Sequence, residues 1–380
     1  MNLNMPAEVE SLVDMTRKIV ADLLKYEPQF HSEGKVPQAV YDVFRDAGFF
    51  GLSFSEENGG MGLGLLATVC VQAQLAHLPP QFWADVKSSQ GPQTRVIETY
   101  GSDAMREENL PKIISGELIV SFALSEPHCG SDVSAIRTNA RKTGDGWVLN
   151  GSKTYISNAF RAGKTVVAAY TDKEKGVAGG ISLFLVPVDA PGYKFTGTLE
   201  LMGTATPGVG QLAFDDIELP AEALIGVEGK GMEYIMRGLN EGRLAIAGTA
   251  LGMGEYALEL AVEYAKERAA FGGVIADFQA IQHMLADMAL DMRAARLVAL
   301  DAAWRYDNGE QRRDLCSMAK LLCSEAANRT SDMAVQIYGG AGYVRGQAVE
   351  RLFRDVRVTR IYEGTSEVQR NTIARQLLRT

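Results

Sequence analysis

The runs Thr165-Val166-Val167-Ala168-Ala169-Tyr170 and Ile181-Ser182-Leu183-Phe184-Leu185-Val186 decide how the chain divides. Each is a short apolar stretch rich in β-branched residues, without helical spacing and bounded by turn residues. Upstream, Trp147-Val148-Leu149 has the same character. Asp145-Gly146 and Asn150-Gly151 supply the positive φ that tight hairpin turns use, and Pro191-Gly192 marks another turn before Tyr193. The pattern predicts an antiparallel β-barrel or sandwich over 119–224 rather than alternating β/α units.

Helical periodicity flanks this middle on both sides. Leu12, Met15, Ile19 and Leu23, then Val40, Val43, Phe44 and Ala47, fall on single helix faces. The glycine-rich stretch Glu57 to Gly64 interrupts them as a loop, and helix is expected again over Leu65 to Ala76 and Met105 to Ile114, ending near Ser115-Gly116. After Pro220 the helical period returns with Met232, Ile235, Met236 and Leu239, then Leu251, Leu258, Ala261 and Ala265. Gly248, Gly252 and Gly254 inside that pattern predict close helix approach. The expected order is an N-terminal all-α domain (1–118), a middle β domain (119–224) and a C-terminal helix-bundle domain (225–380).

A length of 380 residues fits two or three domains with a sizeable core. Thirty-eight Lys and Arg against 47 Asp and Glu leave a net charge of −9, which argues against broad capture of nucleic acid or anionic membrane, so an anionic ligand needs a local site. Cys70, Cys129, Cys316 and Cys323 form no CxxC pair and read as reduced core thiols. The stretch Met1 to Lys18 contains acids and lacks a long apolar segment, and no run approaches the length of a spanning helix. A cytoplasmic protein is expected.

Two leads fail. Gly62-Leu63-Gly64-Leu65-Leu66-Ala67 satisfies GxGxxA, but its flanks read as helices where a dinucleotide fold needs a strand, so a helix-connecting turn accounts for it better. His31, His77, His128 and His283 are scattered without HExxH or a cysteine at ligand spacing, so no metal site is expected, and no GxSxG elbow occurs.

Two segments carry chemistry. In Arg360-Ile361-Tyr362-Glu363-Gly364-Thr365-Ser366-Glu367 the carboxyl of Glu363 is a candidate general base beside a glycine that permits close backbone approach. Ser366 and Gln369 read as a capping box for a helix towards Leu378, and locally an acid complementing that helix start is the simpler reading. Ser121-Phe122-Ala123-Leu124-Ser125-Glu126-Pro127-His128-Cys129-Gly130-Ser131-Asp132 runs from a strand into a loop of hydroxyls and N–H groups that suits phosphate binding, or equally a plain entry loop with an Asx turn at Asp132.

In order, these segments resemble the acyl-CoA dehydrogenase family over nearly the whole chain. Phe49-Phe50-Gly51-Leu52 with Glu56-Glu57-Asn58-Gly59-Gly60 resembles its N-terminal pattern, and Ser125 to Asp132 its T-E-P-x-x-G-S-D signature. Leu149 to Asn158 is similar to N-G-x-K-x-x-I-[ST]-N; Glu267 to Gly272 with Phe278-Gln279, Gln336-Ile337-Tyr338-Gly339-Gly340, and Tyr362-Glu363-Gly364-Thr365 complete the set. The resemblance implies a C-terminal four-helix bundle and a homotetrameric FAD enzyme. It would oxidise an acyl-CoA to its trans-2-enoyl-CoA and pass electrons to an electron-transferring flavoprotein. Phe122, Leu124, Ser125, Gly130, Ser131, Tyr155 and Ser157 would line the flavin. Arg268, Phe271, Gln279, Gln336 and Gly340 would reach the FAD of a neighbouring subunit, with Thr365 and Glu367 near its adenosine diphosphate portion. Ser131, Asn240, Arg243, Tyr362 and Gly364 would meet the substrate.

In the family the base is the counterpart of Glu363, whose backbone N–H also binds the thioester oxygen while hydride leaves to flavin N5. The resemblance thus reverses the local preference, because desolvation by substrate and flavin would raise this carboxyl's pKa. Some relatives place the base just before the arginine of the first bundle helix; here that position is Gly242, and the adjacent Glu241 reads as a solvated or paired acid. Asn240 replaces a common aspartate, His128 and Cys129 replace small residues, and Ser55 replaces a proline. His128 reads as a loop residue. An acyl-CoA oxidase and an inert flavin or acyl-CoA binder are the competing readings; retention of Glu363 counts against the binder and against flavin monooxygenases of similar fold.

Overall fold

The computed structural model describes residues 5–203 and 209–379. The N-terminal helices are α1 (Ala7–Leu24), α2 (Glu27–Glu33), α3 (Gln38–Asp46), α4 (Leu65–Leu75), α5 (Ala84–Ser89), α6 (Pro92–Tyr100) and α7 (Asp103–Ile114). The middle contains β1 (Val120–Ala123), β2 (Asn139–Thr143), β3 (Gly146–Ser157), β4 (Lys164–Tyr170), the short α8 (Gly176–Gly180), β5 (Ile181–Pro187), β6 (Tyr193–Leu199) and β7 (Val209–Pro220). There follow α9 (Gly231–Glu267), the small hairpin β8 (Ala269–Ala270) and β9 (Gly273–Val274), α10 (Gln279–Asp307), α11 (Arg313–Tyr338), α12 (Ala348–Val356) and α13 (Ser366–Leu377).

The two helical regions share one core. Every residue of α4 from Ala67 to Leu75 is buried, so this helix has no solvent stripe and is enclosed by α1, α9 and α10. The expected close approach occurs here: a Cβ on Gly248 would lie 2.6 Å from the Val69 carbonyl oxygen, and one on Gly252 would overlap that of Ala73. Asp307, at the end of α10, accepts hydrogen bonds from Leu65 N at 2.8 Å and Leu66 N at 2.9 Å, capping α4 from the other end of the chain. The GxGxxA stretch is therefore the entry to a helix. Gly252→Val is expected to destabilise the protein by about 1–3 kcal/mol through overpacking, checked by urea unfolding.

The strand order is β1-β4-β2-β3-β7-β6, with β5 also on β4. The sheet is mixed, which corrects the antiparallel expectation: β1 and β2 both pair in parallel with β4, while the other pairs are antiparallel. Val166, Ala168 and Tyr170 of β4 face the core formed with α6, α7 and the start of α9, while Val167 and Ala169 join Trp147, Phe184 and Phe214 inside the curled sheet. Burial on both faces explains why β4 and β5 read as unbroken apolar runs.

Asn150-Gly151 is not a hairpin turn, a second correction. It lies inside β3 at a register shift against β7, with Gly151 at φ 149° and its Cα against Thr138, where a Cβ would clash. The turn between β2 and β3 uses Gly144 at φ 51°. Helices α5 and α6 had no counterpart in the periodicity. Cys70, Cys316 and Cys323 are buried free thiols, but Cys129 is only half-buried in a loop. No helix among the described residues is long and apolar enough to cross a membrane.

Candidate active site

Between α12 and α13 the chain reverses at Glu363 (φ 54°) and Gly364 (φ 89°). A left-handed glutamate is uncommon and persists only where surroundings hold it. Here Gln369 Nε2 donates to the carbonyls of Glu363 (3.0 Å) and Gly364 (2.8 Å), and the buried Lys320 Nζ donates to the latter at 2.8 Å. Burial lowers the Lys320 pKa to about 8. The N-cap of α13 is Thr365, whose Oγ1 accepts from Val368 N at 3.4 Å. This corrects the expected Ser366/Gln369 box: Ser366 Oγ donates instead to Glu325 at 2.6 Å, and Gln369 serves the loop. Glu367 is exposed in the first turn.

The Glu363 Oε2 is buried and has no hydrogen-bond partner among the described residues. Burial raises its pKa, opposed by the positive charges of Lys87, Arg243 and Lys320. Opposite it on α9 stands Gly242, where a Cβ would lie 3.0 Å from Oε2, so the socket has room for one carboxyl. Arg243 is 3% exposed, donates from NH1 to Asn240 Oδ1 at 3.1 Å, and keeps a buried, unpartnered Nε. Lys87 Nζ donates to Tyr362 OH at 3.1 Å. Glu363, Asn240, Arg243, Tyr362 and Gly364 thus lie together. Glu241 pairs with Arg95 (3.2 Å) and accepts from Tyr306 OH at 3.3 Å.

Beyond β1, Glu126 and Cys129 exchange backbone hydrogen bonds of 3.0 Å, closing a tight turn. The buried Glu126 carboxylate accepts from Lys153 Nζ (3.0 Å), Arg137 N (2.7 Å) and Thr138 N (3.0 Å). Burial raises its pKa, but Lys153 and these donors outweigh that and hold it below the usual range; burial brings Lys153 itself to about 8. Asp132 accepts from Ser134 N at 3.0 Å, so its side chain makes an Asx turn. Ligating atoms of Glu126, His128 and Cys129 lie within 4.8 Å of one another, yet those of Glu126 are engaged and His128 Nε2 bonds to Ala135 O at 2.9 Å. The exposed His128 is a loop residue.

This loop adjoins β3 through Thr154 N, which donates to Ser125 O at 3.0 Å. On the open side stand Ser125, Ser131, Tyr155 and Ser157, whose hydroxyls make no hydrogen bond among the described residues, together with half-buried Phe122 and Leu124 and exposed Gly130. Tyr155 is 64% exposed at φ 60°. Unspent hydroxyls beside apolar side chains fit the mixed polar and aromatic surface of a flavin. Arg268, Phe271, Gln279, Gln336 and Gly340 are all exposed around the β8–β9 hairpin and its neighbours; none bonds to the middle sheet among the described residues. Phe271 is 98% exposed with φ 51°.

Several site residues were not found from the sequence. Lys153 lies within the Leu149 to Asn158 stretch, where nothing in the sequence marks its buried partner. Lys320 was visible as one charge in the apolar run of Ala319, Leu321 and Leu322, and Lys87 as a lone cation after Trp83 and Val86. Ser55 also acquires a role that a proline lacks, since its N–H donates to Glu98 at 2.9 Å.

Models of the acyl-CoA dehydrogenase N-terminal, middle and C-terminal domains match residues 6–117, 121–217 and 229–378 in succession. The mitochondrial short-chain specific acyl-CoA dehydrogenase of Homo sapiens is 39% identical over 359 residues, 94% of this chain and 87% of that one. The caffeyl-CoA reductase-Etf complex subunit CarC of Acetobacterium woodii is 36% identical over 371 residues, 96% and 98% of the two chains. The structure of butyryl-CoA dehydrogenase from Megasphaera elsdenii matches with a TM-score of 0.94 and 33% identity, covering 100% of both chains. The chain is an FAD-dependent oxidoreductase acting on a CH–CH bond. The chain belongs to the acyl-CoA dehydrogenase family.

Proposed function

We propose that this protein converts an acyl-CoA thioester to its trans-2-enoyl-CoA with Glu363 as the base, and passes the electrons to an electron-transferring flavoprotein. The observation that carries the reading is the buried, unpartnered Glu363 Oε2 in a loop whose own Glu363 N–H makes no hydrogen bond among the described residues. That N–H is free to bind the thioester oxygen while the carboxylate takes the α proton, so charge developing on the oxygen meets a donor already in place. Arg243, Lys87 and Lys320 add positive potential around the reacting carbons. Ser131, Asn240, Tyr362 and Gly364 would orient the thioester. Bound FAD would supply the two-electron acceptor for the β C–H. Phe122, Leu124, Ser125, Gly130, Ser131, Tyr155 and Ser157 would hold it from the sheet. Arg268, Phe271, Gln279, Gln336 and Gly340 of a second copy would hold it from the other side, with Thr365 and Glu367 near its diphosphate.

A homotetramer built on a four-helix bundle within 225–380 follows from this reading, after domains of 1–118 and 119–224. Exposed Phe271, Leu290 and Trp304 support assembly. A cytoplasmic setting accords with the buried free thiols Cys70, Cys316 and Cys323. Anaerobic mixing of the yellow protein with straight, branched and cyclic acyl-CoAs tests the function: bleaching of the flavin by one class is expected, and retention of colour with all of them would overturn it. Because burial raises the Glu363 pKa and the base must be ionised, kcat/KM should rise with pH through a limb above the ordinary glutamate range. A pH–rate profile checks this, and a limb at or below that range would contradict it.

A further inference from the structure

Lys87 is a cation beside Glu363 that forms no ion pair among the described residues. It lies near the end of α5, half-buried between two aromatic rings, 5.7 Å from the centroid of Trp83 and 4.7 Å from that of Tyr362. Its Nζ donates to Tyr362 OH and forms no ion pair among the described residues. The other buried lysines differ: Lys153 meets Glu126, and Lys320 holds a backbone carbonyl. The field of Lys87 reaches Glu363, yet no hydrogen bond joins them. The neighbouring Trp83 is 2% exposed, and its Nε1 is buried without an acceptor. Tyr362 supplies a second donor, because an oxygen that accepts from Lys87 leaves its O–H proton to donate elsewhere.

Such a wall is unsuited to a plain hydrocarbon tail. Methylene groups seated here would strip water from the ammonium without returning a hydrogen bond to it or to the Tyr362 hydroxyl. A carboxylate would satisfy the ammonium through a charge-assisted bond and accept from the Tyr362 hydroxyl as well. We infer that the acyl group this enzyme selects carries a carboxylate beyond its reacting carbons, and that Lys87 is the specificity residue that binds it. The inference rests on the acyl-CoA dehydrogenation proposed above.

The test compares kcat/KM of the FAD-loaded enzyme for butyryl- and hexanoyl-CoA with that for succinyl-, glutaryl- and adipyl-CoA, in the wild type, Lys87→Met and Lys87→Arg. In the wild type at least one carboxylated chain should be favoured by about tenfold or more over the neutral chains. Lys87→Met should abolish or reverse that ratio, mainly by raising the KM of the carboxylated substrate, and Lys87→Arg should retain it. Oxidation of neutral chains with equal or better efficiency by the wild type overturns the inference while leaving dehydrogenation standing, and needs no variant to be read. A preference that survives in Lys87→Met also overturns it. A flavin-loaded wild type that oxidises neither group, nor any branched or cyclic acyl-CoA, brings down the proposed function and this inference with it.

Discussion

Glu363→Gln should retain FAD, bind acyl-CoA and lose about 10³-fold or more in turnover, the scale expected when a positioned base is removed. Glutamine fills the same socket opposite Gly242, so nothing need move, but it cannot accept the α proton at working pH. Because Glu363 Oε2 is buried without a partner, the variant should also unfold at an unchanged or slightly higher temperature. Stopped-flow measurement of anaerobic flavin bleaching separates the two effects. Near-normal bleaching would remove Glu363 from its role, and loss of bound flavin would indicate a structural one.

Lys153→Met should produce the largest loss of stability, about 3–5 kcal/mol, because it leaves the Glu126 carboxylate buried without its ammonium partner, held by the Arg137 and Thr138 N–H groups and with the His128 ring 3.5 Å away. The damage reaches the cofactor face: Lys153 also holds Leu124 O at 2.9 Å, and the same loop presents Ser125, Gly130 and Ser131. Flavin content should therefore fall with melting temperature. The double variant Glu126→Gln with Lys153→Met removes both charges and should regain part of the stability. A single variant as stable as the wild type would show that the pair contributes nothing, and equal losses in single and double variants would show that the cost lies in shape rather than charge.

Fold class was legible where one period governed a long segment. The flanking helices announce themselves through faces such as Leu12, Met15, Ile19 and Leu23, and β4 and β5 through continuous apolar runs. Strand direction was not legible, since the pairing of β1 and β2 with β4 depends on residues far apart in sequence. Gly151 misled because its φ of 149° serves a bulge, whereas Asn-Gly is also a common hairpin turn. Helices α5 and α6 escaped because polar side chains secure them: Gln93 Nε2 donates to Ser88 O at 2.7 Å, and Thr94 Oγ1 to Ser89 O at 2.7 Å. At the candidate site, the motifs located Glu363 and its neighbours. Arg243 was reached through the resemblance, but Lys87 and Lys320 were not, because they come from two other helices and join it only after folding.

The enclosure of α4 has a consequence during synthesis. This helix, destined for burial on all sides, emerges early, but its partners on α9 around Gly248 to Met253 are made much later. At about 5–20 residues per second, roughly 10–40 s pass between translation of Leu75 and of Met253. For that interval the nascent chain carries a sticky helix without a mate, while the middle sheet is already complete and able to close. Slow translation therefore prolongs exposure rather than helping the chain, and holdase chaperones that recognise apolar helices are the natural custodians of residues 65–75 until α9 arrives.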